Sequence, residues 1–469
     1  MKKYFGTWEF YKKALLIGFP VMLQQLIQTM ISLIDNFMVA GLGDVKMSGV
    51  NITGQILFMF MVFLNAICMA GGIFMTQYSG AKDERGMQQT LCFKFTISGM
   101  AILIYMFVCM VIPRSVLGLM VVGNSQAEAI LDVAEKYMFL MGFLGIPMMI
   151  STIIASSFRE IGMVREPLVI SVIATGINTF LNWILIYGNL GAPRLEVRGA
   201  AYATITARAV EMVMYLILIQ VKKPPFRIAL KTLIQIDFSL FGRILKKGSL
   251  VLVSEMLWVV SETITTALYN GRGGADVVSG MASSFAIANL YFVAFGGITT
   301  ATGVIIGQTL GKGELKEAKK QKNWMLSAAI LFGFLMCFLG MLTVLLVPLV
   351  FRNLSIEAQD ICKNMVFMMA LFMPMWVYVN TQFAVSKAGG DTVMGAVVDG
   401  TVTLFLILPG IFIMAFFTNL GPVVMYAVVK LTDAIKILIA QIWLGKEKWV
   451  RNLAVPIAQT DQQGIGNAR

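Results

Sequence analysis

The 469-residue chain contains no histidine. Its absence removes His-ligated zinc and haem, and any catalytic triad with an imidazole base. Charge is scarce as well. Asp, Glu, Lys and Arg make up 13% of residues and hydrophobic side chains 58%, where soluble domains carry about 25% charged residues. Only five cysteines occur: Cys68, Cys92, Cys109, Cys337 and Cys362. They are odd in number, sit mostly within apolar runs and have neither disulfide nor metal spacing, so they are expected to be small core residues. The amino terminus, MKKYFGTWEFYKKALLIGFPVMLQQ, runs straight into an apolar stretch too long for a signal core, and no cleavable leader is expected.

What the chain does have is apolar runs from end to end. A span needs roughly 20 apolar residues. Twelve are expected, near 14–40, 53–78, 91–113, 137–156, 167–188, 199–221, 244–270, 279–308, 324–351, 364–386, 393–416 and 422–444. Lys and Arg concentrate in alternate gaps: Lys2, Lys3, Lys12 and Lys13, then Lys82 and Arg85, Arg159 and Arg165, 222–247, 312–322, Lys387 and 446–451. The positive-inside rule then puts both termini in the cytoplasm of a multi-pass inner (plasma) membrane protein. The net charge of +12 is therefore mostly a topology signal, and no nucleic-acid partner is expected.

The two halves repeat. GGIFMTQYSGAKDERG (71–86) aligns with ATGVIIGQTLGKGELK (301–316), matching Gln77 to Gln308 and Gly80 to Gly311. GAAYATITARAVE (199–211) aligns with GPVVMYAVVKLTD (421–433), pairing Arg208 with Lys430 and Glu211 with Asp433. Six spans per half preserve orientation. The expected fold is therefore an all-α integral membrane protein of 12 transmembrane helices, in two six-helix bundles related by a pseudo-twofold axis. Residues 1–221 would form the first bundle, 222–243 a cytoplasmic linker, 244–445 the second bundle and 446–469 a polar cytoplasmic tail. Such an architecture favours a transporter with its path between the halves.

Intramembrane polar residues then become functional candidates. Asp35 interrupts the apolar SLIDNFMVAGLG in the outer half of the first span. Asn178 and Asn182, at i and i+4, share one face of the fifth span, and Thr204 lies about one turn into the sixth. Carboxylate, amides and hydroxyl at similar depth are hard oxygen ligands, suited to Na⁺ or to a proton on Asp35. In the seventh span Glu255 and Glu262, two turns apart, are candidates for a cavity that takes cationic substrates, as is Asp399 in the eleventh. Amides such as Asn289 or Asn380 are the alternative partners for the two glutamates. Pro20 should kink the first span. Arg208 with Glu211 and Lys430 with Asp433 are expected to be structural i,i+3 pairs.

Taken in order, GFPVMLQQLIQTMISLIDNFMVAGLG, GGIFMTQYSGAKD, SSFREIG, NTFLNWILIYGNLG, VRGAAYAT, SEMLWVVSETITTALYNGRGG, GQTLGKGE and KAGGDT resemble the MATE (multidrug and toxic compound extrusion) family over about residues 10–445. The resemblance implies cation-coupled antiport by alternating access and export of cationic or amphipathic organic compounds. It implies no enzymatic activity, no cofactor beyond the coupling ion (Na⁺ or H⁺), and a monomer in contact with membrane lipid. It also places the cation site at Asp35, Asn178, Asn182 and Thr204, and a seventh-helix acid at Glu255. Asn182 stands where several family members have a second aspartate, and the tenth span has no acid where some members have one. Two other functions have different requirements. A lipid-linked oligosaccharide flippase of the same superfamily would carry extra spans or a more cationic cavity. An integral-membrane lipid-modifying enzyme would need a catalytic cluster, and the chain has no histidine and no DxxD-type array.

Overall fold

The computed structural model describes residues 4–121, 126–228, 237–352 and 354–454. Among them the chain is helical throughout, as expected. In order run α1 (Trp8–Ala40), α2 (Asp44–Ala81), α3 (Glu84–Met110), α4 (Pro113–Gly118), α5 (Ala127–Glu160), α6 (Arg165–Tyr187), α7 (Glu196–Lys222) and α8 (Phe238–Asn270). They are followed by α9 (Ala275–Gly311), α10 (Leu315–Thr343), α11 (Val347–Val350), α12 (Ile356–Ala388), α13 (Thr392–Val402), α14 (Leu408–Phe417) and α15 (Pro422–Gly445). In lipid every backbone N–H and C=O must be satisfied within the protein, which is why apolar sequence of this kind is spent on helices. Large apolar side chains such as Leu103, Ile104 and Phe107 on α3 point outward, the reverse of a soluble protein.

Eleven helices among the described residues are long and apolar enough to cross a bilayer. The twelfth expected span corresponds to α15, whose 24 residues extend about 36 Å. It stands apart because it carries Lys430, Asp433 and Lys436, and each of these charges has a partner inside the protein. Lys436 bonds Asp399 at 2.7 Å and lies 3.5 Å from Asp433. Lys430 sits over the Trp376 ring, 4.3 Å from its centroid, rather than on Asp433. The expected Lys430–Asp433 pair does not form, because an aromatic face and a second lysine at i+3 compete for the two charges. The eleventh span is α13 and α14 joined by a π-helical turn over Thr403–Ile407. Pro409, two residues into α14, has no N–H and crowds the carbonyl four residues back, so the turn ahead of it widens.

The helices group into two compact units. The first holds Leu23–Met75 and Glu84–Gly242, and we call it the Asp35 unit. In it α6 and α7 pack so closely that a Cβ on Gly199 would run into the Leu185 carbonyl. Val39, Ile186 and Ala200 form a small buried cluster at the end of α1, packed by Met38, Leu42, Met47 and Val50. Close α6–α7 contact and an anchored α1 end bring Asp35, Asn178, Asn182 and Thr204 within reach of one another. The described residues of the expected linker dock on this unit too. Phe226 is fully buried with its ring edge-on to Phe158, and Asp237 donates its backbone N–H to Gln89.

The second unit holds Met1–Met22, Thr76–Asp83 and Arg243–Arg469, and we call it the Glu255 unit. Here the repeat residues meet reciprocally. A Cβ on Gly80 of α2 would strike the Gln308 carbonyl of α9, and one on Gly311 of α9 would strike the Gln77 carbonyl of α2. Residues 446–454, the start of the expected polar tail, are folded back on this unit with Trp449 1% exposed. Residues 455–469 lie outside the described residues.

Candidate functional site

The four sequence-predicted cation ligands form one hydrogen-bonded chain. Asn182 Nδ2 donates to Asp35 Oδ1 at 2.8 Å and to Asn178 Oδ1 at 3.4 Å. Asn178 Nδ2 donates to Thr204 Oγ1 at 3.3 Å, and Thr204 donates to the Ala200 carbonyl at 2.9 Å. Three helices, α1, α6 and α7, supply these groups. Asn178 and Asn182 are buried, whereas Asp35 and Thr204 are half-buried. One atom is left over. The side-chain oxygen of Asn182 is buried and has no hydrogen-bond partner. An unsatisfied buried acceptor costs free energy, so nature rarely leaves one without a use.

One turn beyond Thr204, Arg208 is engaged by buried Glu211 at 2.7 Å. That pair is the one expected from its i,i+3 spacing. The cluster therefore holds a carboxylate that is in no ion pair among the described residues, an orphan amide oxygen and a hydroxyl. Asp35 is its only acid, and its oxygens are the hard donors that a small monovalent cation takes.

The three acids expected at a substrate cavity differ in their partners. Glu255 on α8 lies 3.5 Å from the ammonium of Lys387, at the end of α12. Asn380 bonds the Trp376 carbonyl of its own helix and Asn289 is exposed; among the described residues neither is hydrogen-bonded to Glu255. Asp399 on α13 is paired with Lys436 at 2.7 Å. Glu262 is half-buried, two turns beyond Glu255. Pro20 lies inside α1, where its ring takes away the hydrogen bond to the Leu16 carbonyl.

Sequence reasoning missed Lys94. It is wholly buried in α3, paired with Glu160 of α5 and bonded to the Ser156 and Ser157 hydroxyls at 3.1 and 3.2 Å. The signal was present as a lone lysine inside the apolar LCFKFTIS. Lys436 was missed in the same way.

These features define a multi-pass helical membrane protein with a hydrogen-bonded polar cluster inside one unit, the build of a transporter. The chain belongs to the MatE family, which it matches twice, over residues 20–184 and 251–413. Members of that family are transporters, not enzymes. Among its relatives is a probable multidrug resistance protein NorM of Thermotoga maritima, 23% identical over 421 residues, spanning 88% of this chain and 87% of the relative. Another, from Listeria monocytogenes, bears the same name and is 24% identical over 330 residues, covering 69% and 70%. Solved structures share the fold. A MATE protein in complex with MaL6 superposes with a TM-score of 0.83 at 18% identity, over 93% of this chain and 96% of that one. A mutant of the Vibrio cholerae MATE transporter VcmN gives 0.83 at 17% identity, over 94% and 98%. These names do not favour the flippase, and the family excludes the lipid-modifying enzyme.

Proposed function

We propose that this protein is an antiporter that exports cationic or amphipathic organic compounds across the plasma membrane, driven by Na⁺ entering at Asp35, Asn178, Asn182 and Thr204. The observation that carries the assignment is the orphan oxygen of Asn182, the residue whose nitrogen donates to the Asp35 carboxylate. A bound Na⁺ would use both, together with the Thr204 oxygen, and would supply the charge that Asp35 lacks. Protons are the competing cargo, since a desolvated carboxylate can hold one. The second aspartate that would share a proton is replaced here by Asn182, which favours Na⁺.

Alternating access follows from competition. The ion entering from outside stabilises one arrangement of the halves, and substrate binding from inside stabilises the other; each acts only through its different affinity for the two states. In this scheme residues 1–221 and 244–445 act as the two halves, both termini are cytoplasmic, and the working unit is a monomer. Glu255 supplies negative potential for cationic substrates, an attraction strengthened where water is partly excluded.

Equilibrium binding of radioactive sodium to the purified protein tests the site directly. Saturable binding that Asp35→Asn abolishes and Asn182→Ala weakens is the expected result. Sodium binding unchanged by Asp35→Asn would overturn the assignment.

A further inference from the structure

Glu255 already has a cation beside it. Lys387 is the second-last residue of α12, and its ammonium lies 3.5 Å from a Glu255 oxygen. The pair is not sealed away: side-chain exposure is 23% for Lys387 and 30% for Glu255. A cation arriving at Glu255 therefore meets a carboxylate that is reachable but occupied, and the occupant is covalently part of the protein.

The position of Lys387 is set from outside the pair. The next residue, Ala388, accepts a hydrogen bond at 2.8 Å from Gln77, a fully buried side chain near the end of α2. Gln77 also bonds the folded-back segment, donating to the Arg451 carbonyl at 3.2 Å and accepting from the Leu453 N–H at 2.6 Å. Gly389 lies so close to the Trp449 carbonyl that a Cβ there would not fit, and Lys247 bonds the Gly390 carbonyl. Three consecutive residues, Ala388 to Gly390, are thus fastened by α2, α8 and residues 446–454. Lys387 is held at the edge of this knot, with Glu255 across from it.

We infer that Lys387 is a tethered competitor for the substrate: it occupies Glu255 while the end of α12 is fastened, and an organic cation gains Glu255 only by displacing it. The inference rests on the proposed substrate role of Glu255. One carboxylate in a partly dry site does not hold two cations at full strength, because the second meets the repulsion of the first. Lys387 therefore lowers affinity for cations and leaves neutral ligands untouched, which makes it a specificity-determining residue. It also gives the substrate site a conformational input. Release of the Gln77 and Trp449 contacts lets α12 withdraw the lysine and uncover the carboxylate.

The test is equilibrium binding to the purified full-length protein with two probes of the same ring system, cationic ethidium and uncharged phenanthridine. Lys387→Gln is expected to tighten ethidium binding about threefold to fivefold, the scale of a half-exposed ion pair, and to leave phenanthridine unchanged. Lys387→Arg, which keeps the charge, should behave as the native protein. Glu255→Gln should weaken ethidium binding and make a second Lys387→Gln change silent. If Lys387→Gln does not fold, Lys387→Met reads out the same loss of charge. Equal tightening for both probes would mean altered packing and would overturn the inference. Ethidium binding unmoved by Lys387→Gln but weakened by Glu255→Gln would overturn it while leaving the role of Glu255 in place. Ethidium binding indifferent to Glu255→Gln would remove that role, and the inference with it.

Discussion

A carboxylate in a membrane helix costs free energy, about 2.5–3.5 kcal/mol at the helix centre on insertion scales, and at Asp35, nearer the end of α1, the surrounding amides offset it. Asn182 donates to it and Asn178 and Thr204 extend the chain, so the charge is held by neutral dipoles, with no basic hydrogen-bond partner among the described residues. Asp35→Asn keeps the shape and removes the charge. The expected outcome in reconstituted vesicles is a folded protein without gradient-driven efflux; undiminished efflux would sink the coupling role. Lys94 poses the opposite case, a buried cation with a full partner. Removing one member of such a pair leaves the other uncompensated, at a cost of about 3–5 kcal/mol. Lys94→Met should therefore lower the unfolding midpoint strongly, and adding Glu160→Leu should restore part of the loss. A double variant as unstable as the single one would show that the ion pair itself is what stabilises. The first cluster was legible in sequence because Asn178 and Asn182 share a helix face and Asp35 and Thr204 lie at matching depth. Partners such as Lys387 for Glu255, 132 residues away, follow no local spacing. At Lys430 the i,i+3 rule pointed to Asp433, yet Trp376, from another helix, took the charge.

Helices in this protein are placed by close backbone approach as much as by side-chain packing. The Gly80–Gln308 and Gly311–Gln77 contacts leave no room for a side chain at either crossing point of α2 and α9. Gly80→Leu or Gly311→Leu should each destabilise by at least about 1–3 kcal/mol, read as a fall in thermal midpoint. Gly99→Ala, in the middle of α3 with open space around it, should leave the midpoint unchanged or slightly raised. Equal losses at all three positions would argue that the crossing is not close-packed. The matching of Gln77 to Gln308 and Gly80 to Gly311 was visible in the repeat; that the matched residues touch each other was not. Likewise the span over 422–444 was read from length, but its three charges only make sense once Asp399 and Trp376 are seen beside them. Composition alone suggests a polar tail from 446. Trp449 is the exception within that stretch, and burial of its ring holds residues 446–454 in place.

At the scale of the whole molecule, hydropathy and the repeat made the all-helical membrane fold and the family legible, since both are properties of long segments. The coupling ion is a different matter. It depends on which oxygens converge and which atom is left unsatisfied, and the Asn182 oxygen shows itself only in three dimensions. If that oxygen and Asp35 bind Na⁺, the ion binds the two states of the transporter with different affinity, and its gradient alone drives export. Ethidium efflux from protein-containing vesicles, with the Na⁺ and pH gradients imposed separately, measures this most directly. The account predicts that an inward Na⁺ gradient at fixed pH expels ethidium, and that Asn178→Ala or Asn182→Ala raises the Na⁺ concentration required. Efflux that follows the pH gradient and ignores Na⁺ would contradict it.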